Sequence, residues 1–157
     1  MKKTLLLIAC LLIAGFASTA AAQKSGNNNS TPAYKLTAIN IMPFEKMSGA
    51  LEEPITATDE RSFFNEISKN YLVTVEVSGA EGSFATGRQI EIVVREGKKL
   101  KAKTLEQIDL IGAGGKVYMP LWINAPLCDV TTITARIVGQ KTPATMTRKL
   151  TVFQCGE

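Results

Sequence analysis

From Tyr71 the chain alternates apolar and polar residues with a period of two, the spacing that sends successive side chains to opposite faces of a β-strand. In Tyr71 to Ser78, the residues Tyr71, Val73, Val75 and Val77 share one side, and Thr74, Glu76 and Ser78 the other. The stretch from Arg88 to Glu96 repeats this with Ile90, Ile92 and Val94 inward. Glu96-Gly97-Lys98 reads as a tight turn into a strand from Leu100 to about Leu105. After a glycine-rich turn at 112–115, Val117, Met119, Leu121 and Ile123 share one side of a strand, with Tyr118, Pro120 and Trp122 on the other. Pro120 cannot donate to a ladder, which marks that strand as an edge.

The region before Tyr71 is less regular. Between Tyr34 and Met42 the alternation slips, with Leu36 and Ala38 on one face and Ile39 and Ile41 on the other, as a β-bulge or a switch of sheet produces. Met47 to Asp59, holding Gly49 and Pro54, reads as a long loop. Glu60 to Asn70 fits a helix or a strand equally, because Phe63, Phe64 and Ile67 fall three to four apart and Thr58 or Asp59 can cap a helix.

The last thirty or so residues read as one hairpin, turned by Gly139 to Ala144, where Pro143 interrupts pairing. Opposed residues of a hairpin have numbers with a constant sum. If Cys128 faces Cys155, that sum is 283, and Ile137 opposes Met146, Ala135 opposes Arg148, Ile133 opposes Leu150 and Thr131 opposes Val152. This face is mostly apolar. The other, with Arg136, Thr134, Thr132, Thr147, Lys149 and Thr151, is mostly polar, and carries Val130 and Phe153 beside the sulfurs. The expected core therefore includes Ile133, Ile137, Leu150 and Val152.

About seven strands separated by turns predict an all-β fold, an antiparallel β-sandwich of immunoglobulin-like type. The pattern resembles, in architecture and not in family, the small Ig-like modules of secreted bacterial proteins. The cysteine pair flanking a tryptophan of antibody domains is absent, since Trp122 precedes both Cys128 and Cys155. A Greek-key barrel or a transthyretin-like sandwich is the alternative.

The amino terminus adds a compartment. Lys2 and Lys3, an apolar run from Leu5 to Ala17 and the small residues up to Ala22 have the form of a cleaved secretory signal peptide. The run is too short for a membrane anchor, and Cys10 lies too early for a lipoprotein cleavage site. The expected organisation is a signal peptide at 1–22, a flexible tether at 23–33 and one Ig-like domain at 34–157, the last two together about 135 residues. Loss of Lys2 and Lys3 from the 18 basic residues leaves 16 against 14 acidic ones, so the net charge falls from +4 to +2. The exported chain retains only Cys128 and Cys155, a pair expected to form a disulfide in an oxidising periplasmic or extracellular setting, contributing on the order of 3 kcal/mol.

Composition also limits the chemistry. The chain has no histidine, which removes histidine-based triads, acid–base catalysis and zinc ligation. Gly112-Ala113-Gly114-Gly115-Lys116 lacks the spacing and the following Ser or Thr of a phosphate loop, and reads as a turn. Lys98, Lys99, Lys101 and Lys103 form a basic cluster best read as a solvated strand. Glu52, Glu53, Asp59 and Glu60 lack the spacing of a calcium loop. No catalytic, cofactor or metal residue is assigned.

What remains is a module that works by contact. Tyr118, Trp122, Val130 and Phe153 are the candidate contact residues, and the partner is another envelope or extracellular protein. Nucleic acid and a membrane span after signal cleavage are not expected. The alternative is a carbohydrate-binding or inhibitor-like module that stacks its ligand on Tyr118 and Trp122.

Overall fold

The computed structural model describes residues 33–56, 59, 63–64 and 68–154. The signal peptide, residues 23–32 of the tether and Cys155 lie outside the described residues, as does most of the segment from Glu60 to Asn70. Among the described residues every regular element is a strand. They are β1 (Lys35–Glu45), β2 (Ala50–Leu51), β3 (Phe63–Phe64), β4 (Lys69–Ser78), β5 (Gln89–Glu96), β6 (Lys99–Gln107), β7 (Lys116–Ile123), β8 (Thr131–Val138), β9 (Ala144–Leu150) and β10 (Phe153–Gln154).

These strands form two four-stranded antiparallel sheets, a first in the order β2-β1-β4-β7 and a second in the order β6-β5-β8-β9. The connections from β4 to β5, β6 to β7 and β7 to β8 each pass from one sheet to the other. One buried cluster unites both sheets, as in a β-sandwich. Tyr71, Val73, Val75 and Val77 of β4 and Ile90, Ile92 and Val94 of β5 are fully buried, as their alternation predicts. Each such aliphatic side chain contributes roughly 1.5–3 kcal/mol of burial. The inward set of β7 is also as expected, with Met119 and Ile123 buried and Val117 and Leu121 packed against the cluster.

The slip in β1 is a β-bulge. Leu36 opposes Val77 and Ala38 opposes Glu76, so the register shifts between them. Leu36 therefore joins Ile39 and Ile41 on the core side and only Ala38 faces out, which corrects the pairing of Leu36 with Ala38 on one face. At 63–64 the backbone is extended and runs parallel to β10, and β4 begins at Lys69, two residues before the alternation is apparent.

The terminal hairpin differs from the cysteine-set register. Thr131 opposes Leu150, Ile133 opposes Arg148, Ala135 opposes Met146 and Ile137 opposes Ala144, a constant sum of 281 instead of 283. A shift of two preserves the faces, so Ile133, Ile137 and Leu150 are buried as expected and Val152 packs against the core. The ladder ends at Leu150, however, and the chain turns away. Phe153 consequently does not lie on the polar face beside Val130. It is only 3% exposed and meets the Tyr71 ring edge-on, with centroids 5.2 Å apart.

Two contacts close the open flank of β1. Ile41 O accepts from Ile55 N at 2.9 Å and Pro43 O accepts from Glu52 N at 2.8 Å. The next carbonyl in the series, Ile39 O, is reached from the second sheet by Arg148 Nη1 at 2.6 Å, while Arg148 Nη2 donates to Ile55 O. A guanidinium thus stands where a neighbouring strand would. Burial holds the Arg148 pKa below the ordinary arginine value.

Candidate functional site

Because β1, β4 and β7 lie side by side in register, their outward side chains form rows across the first sheet. Met42, Leu72 and Trp122 make one row; Asn40, Thr74 and Pro120 the next; Ala38, Glu76 and Tyr118 the third. Leu51 opposes Phe44 and widens the apolar end. The Phe44 ring reaches over β4 to meet Trp122 edge-on, with centroids 5.5 Å apart and planes at 82°. Trp122 is nevertheless 44% exposed, Leu51 49% and Tyr118 55%.

The far end of the face is polar and internally matched. Glu76 accepts from Lys116 Nζ at 2.9 Å and from Thr37 Oγ1 at 2.7 Å. The Lys116 bond first, and the Thr37 bond next, hold the Glu76 carboxyl below its ordinary value of 4.5, and the same bond raises Lys116.

The outer face of the second sheet has a different character. Glu91 lies between Lys103 Nζ at 2.8 Å and Arg136 Nη2 at 3.0 Å, and Lys103 chiefly lowers its pKa. Thr134 and Thr147 oppose each other with hydroxyls 3.4 Å apart. Leu100 and Leu105 are exposed on the edge strand β6, and Val93 lies at the centre between Lys103 and Thr134, surrounded by the Glu91 ion pairs and the threonines.

Of the four contact residues expected from sequence, Tyr118 and Trp122 share the first-sheet face. Val130 is half-buried before β8, where its carbonyl accepts from Gly97 N at 3.0 Å, and Phe153 is in the core. The expected four-residue cluster is therefore not assembled. The residues that complete the face, Met42, Phe44, Leu51 and Leu72, were not singled out by pattern. Leu72 carried a signal, as the one large apolar residue among the outward positions of β4.

Compared with known proteins, the chain matches no family model and no curated protein.

The remaining polar constellations have structural roles. In the glycine-rich turn, Gly112 N donates to Lys116 O, Gly115 N to Gly112 O, and Gly114 N to Glu81 Oε2 at 3.3 Å. The three glycine amides of the turn are thus occupied, one of them by a carboxylate. The four lysines do not converge either: Lys101 Nζ turns in to Glu96 Oε2 at 3.2 Å and Pro126 O at 2.8 Å, while Lys103 pairs with Glu91. Glu96 Oε1 also accepts the backbone N–H of Cys128 at 2.5 Å, which fixes the segment leading into β8. Cys128 is engaged rather than free. Glu52 pairs with Lys69 at 2.5 Å, and among the described residues no three His, Cys, Asp or Glu side chains are grouped to hold a metal ion.

Proposed function

We propose that the protein is an exported, non-enzymatic Ig-like module that works by protein contact, docking through the outer face of the first sheet. The observation that carries this reading is the contrast between the two outer faces: one apolar around Phe44, Leu72 and Trp122, the other centred on ion pairs and threonines. The strand orders support an Ig-like assignment, because β1-β4-β7 facing β6-β5-β8-β9 corresponds to Ig strands A-B-E facing C′-C-F-G. Protein contact is favoured over glycan stacking because the Trp122 ring is met edge-on by Phe44 and lies opposite Leu72, an apolar setting on one side of the ring.

The test is capture from an envelope extract on immobilised protein, followed by titration of the purified partner. Leu72→Asp is expected to weaken binding by at least about thirtyfold, the scale of a central hot spot. Thr134→Asp, on the opposite face, should leave it unchanged. Equal affinity of wild type and Leu72→Asp would remove the face from consideration, and release of the partner by soluble glycans would favour the carbohydrate reading.

Export and a Cys128–Cys155 bridge belong to the same proposal. The even pair of cysteines that follows the leader supports both. The intact mass of protein recovered from outside the cytoplasm should correspond to a chain beginning at Gln23 and lacking two hydrogens. A reduced mass there, or thiols that alkylate without prior reduction, would overturn the bridge.

A further inference from the structure

We infer that the outer face of the second sheet is a peripheral docking surface for an anionic lipid bilayer, a second surface that is independent of the apolar face of the first sheet. Register places Arg95 and Lys149 in one outward row with Leu100, Lys103 in the next, and Arg136 in a third with Glu91 and Leu105. Threonines and Val93 fill the remaining positions. The rows thus hold four cations and one carboxylate. The turn between β5 and β6 adds the exposed Lys98 and Lys99 against Asp129, whose carboxylate lies beside Gly97.

Face and turn together carry six basic and two acidic residues, a balance of +4, whereas the 16 basic and 14 acidic residues beyond position 22 give only +2. By difference, the rest of that chain is negative, so the positive charge is gathered on one side of the sandwich. The lysine run of β6 supplies only part of it, since Lys101 turns in to Glu96. Glu91 is shared by Lys103 and Arg136, and neither Arg95 nor Lys149 is paired with a carboxylate among the described residues. The charge complement of this face is anionic, and its apolar residues select the source of the anions. Leu100 and Leu105, 49% and 50% exposed, flank Lys103 on the same side of β6. A soluble polyanion would engage the cations and leave both leucines in water. A bilayer offers phosphates to the cations and the acyl boundary to the leucines. Each Lys or Arg near an anionic membrane adds roughly fivefold to binding.

Co-sedimentation of the exported chain with lipid vesicles is the test. The wild type should pellet with vesicles of phosphatidylcholine mixed with phosphatidylglycerol and not with phosphatidylcholine alone. Binding should disappear between about 0.1 and 1 M salt, as the screening length falls from roughly 10 to 3 Å. Lys149→Glu, a change of two charges, should weaken binding roughly thirtyfold. Lys46→Glu, in the exposed turn after β1, changes the net charge equally and should leave binding unchanged. Replacing Leu100 and Leu105 together by serine should weaken vesicle binding at least about tenfold, with elution from immobilised heparin unaltered. The salt series on wild type stands without any variant, and a wild type that ignores anionic vesicles overturns the proposal. Equal losses for Lys149→Glu and Lys46→Glu would reduce the effect to overall charge and sink the face. A serine pair that binds vesicles as the wild type does would mean a site for soluble polyanions, and would overturn the lipid assignment.

Discussion

Replacing Gly139 by alanine is expected to destabilise the fold by about 3–4 kcal/mol, lowering the melting temperature by on the order of 10–20 °C. Two costs combine there. Gly139 has φ +88°, a conformation that costs an L-residue roughly 1–2 kcal/mol. A Cβ at this position would also run into the backbone carbonyl of Gly87 in the loop before β5, and backbone cannot rotate aside as a side chain can. Gly82→Ala separates the two costs, because Gly82 has φ +71° with nothing within 4 Å of a built Cβ. Thermal or urea unfolding should show only the smaller, conformational loss for Gly82→Ala. Equal losses for the two variants would mean that the Gly139–Gly87 approach is not a constraint.

Arg148→Met should cost about 2–3 kcal/mol. Each hydrogen bond from a charged donor contributes roughly 1.5–3 kcal/mol, and the desolvation that lowers the Arg148 pKa offsets part of the pair. Methionine keeps the stem but leaves Ile39 O and Ile55 O without their donor on the flank of β1. Urea unfolding should show a lower midpoint with the slope retained, since the surface exposed on unfolding is nearly the same. Arg148→Lys should recover part of the loss through a single donor. An unchanged midpoint for Arg148→Met would show that water replaces the guanidinium at no cost.

These two residues also mark how far the sequence can be read. Period-two alternation sufficed for β4, β5 and β7 because both neighbours of each buried residue are polar or outward, so the inner face follows from the pleat alone. Arg148 was legible as a residue on the inner face of β9, yet nothing in the sequence names its acceptors, a carbonyl of β1 and one of the segment after β2, about a hundred positions away. The hairpin register failed for a related reason. A constant sum of 283 assumes a ladder continuing to residue 155, whereas pairing stops at Leu150 and the chain turns at Thr151. Phe153 then enters the core from a different direction, where alternation counted from β8 no longer applies.

The candidate face was half legible. Tyr118 and Trp122 fall on one side of β7 by simple counting. Met42 and Phe44 were hidden because the slip in β1 could not be placed, and the bulge between Leu36 and Ala38 decides which residues point outward beyond it. Their convergence on Leu72 depends on β4 lying between β1 and β7, a consequence of sheet order that no local pattern encodes.

The anchoring of Tyr34 gives the molecule a direction. The Gln140 side chain holds both backbone polar groups of this residue, accepting from Tyr34 N at 3.2 Å and donating to Tyr34 O at 3.1 Å. The Tyr34 ring lies against Gly79, where a Cβ would come within 2.7 Å of it. Whatever precedes residue 34 must therefore leave from a fixed point at the Ser78–Lys116 end of the first sheet. Phe44 and Trp122 lie at the opposite end, roughly 30 Å along β1. A chain held by its amino-terminal segment would carry its apolar row on the flank of the sheet's distal end, the full length of β1 away from its attachment.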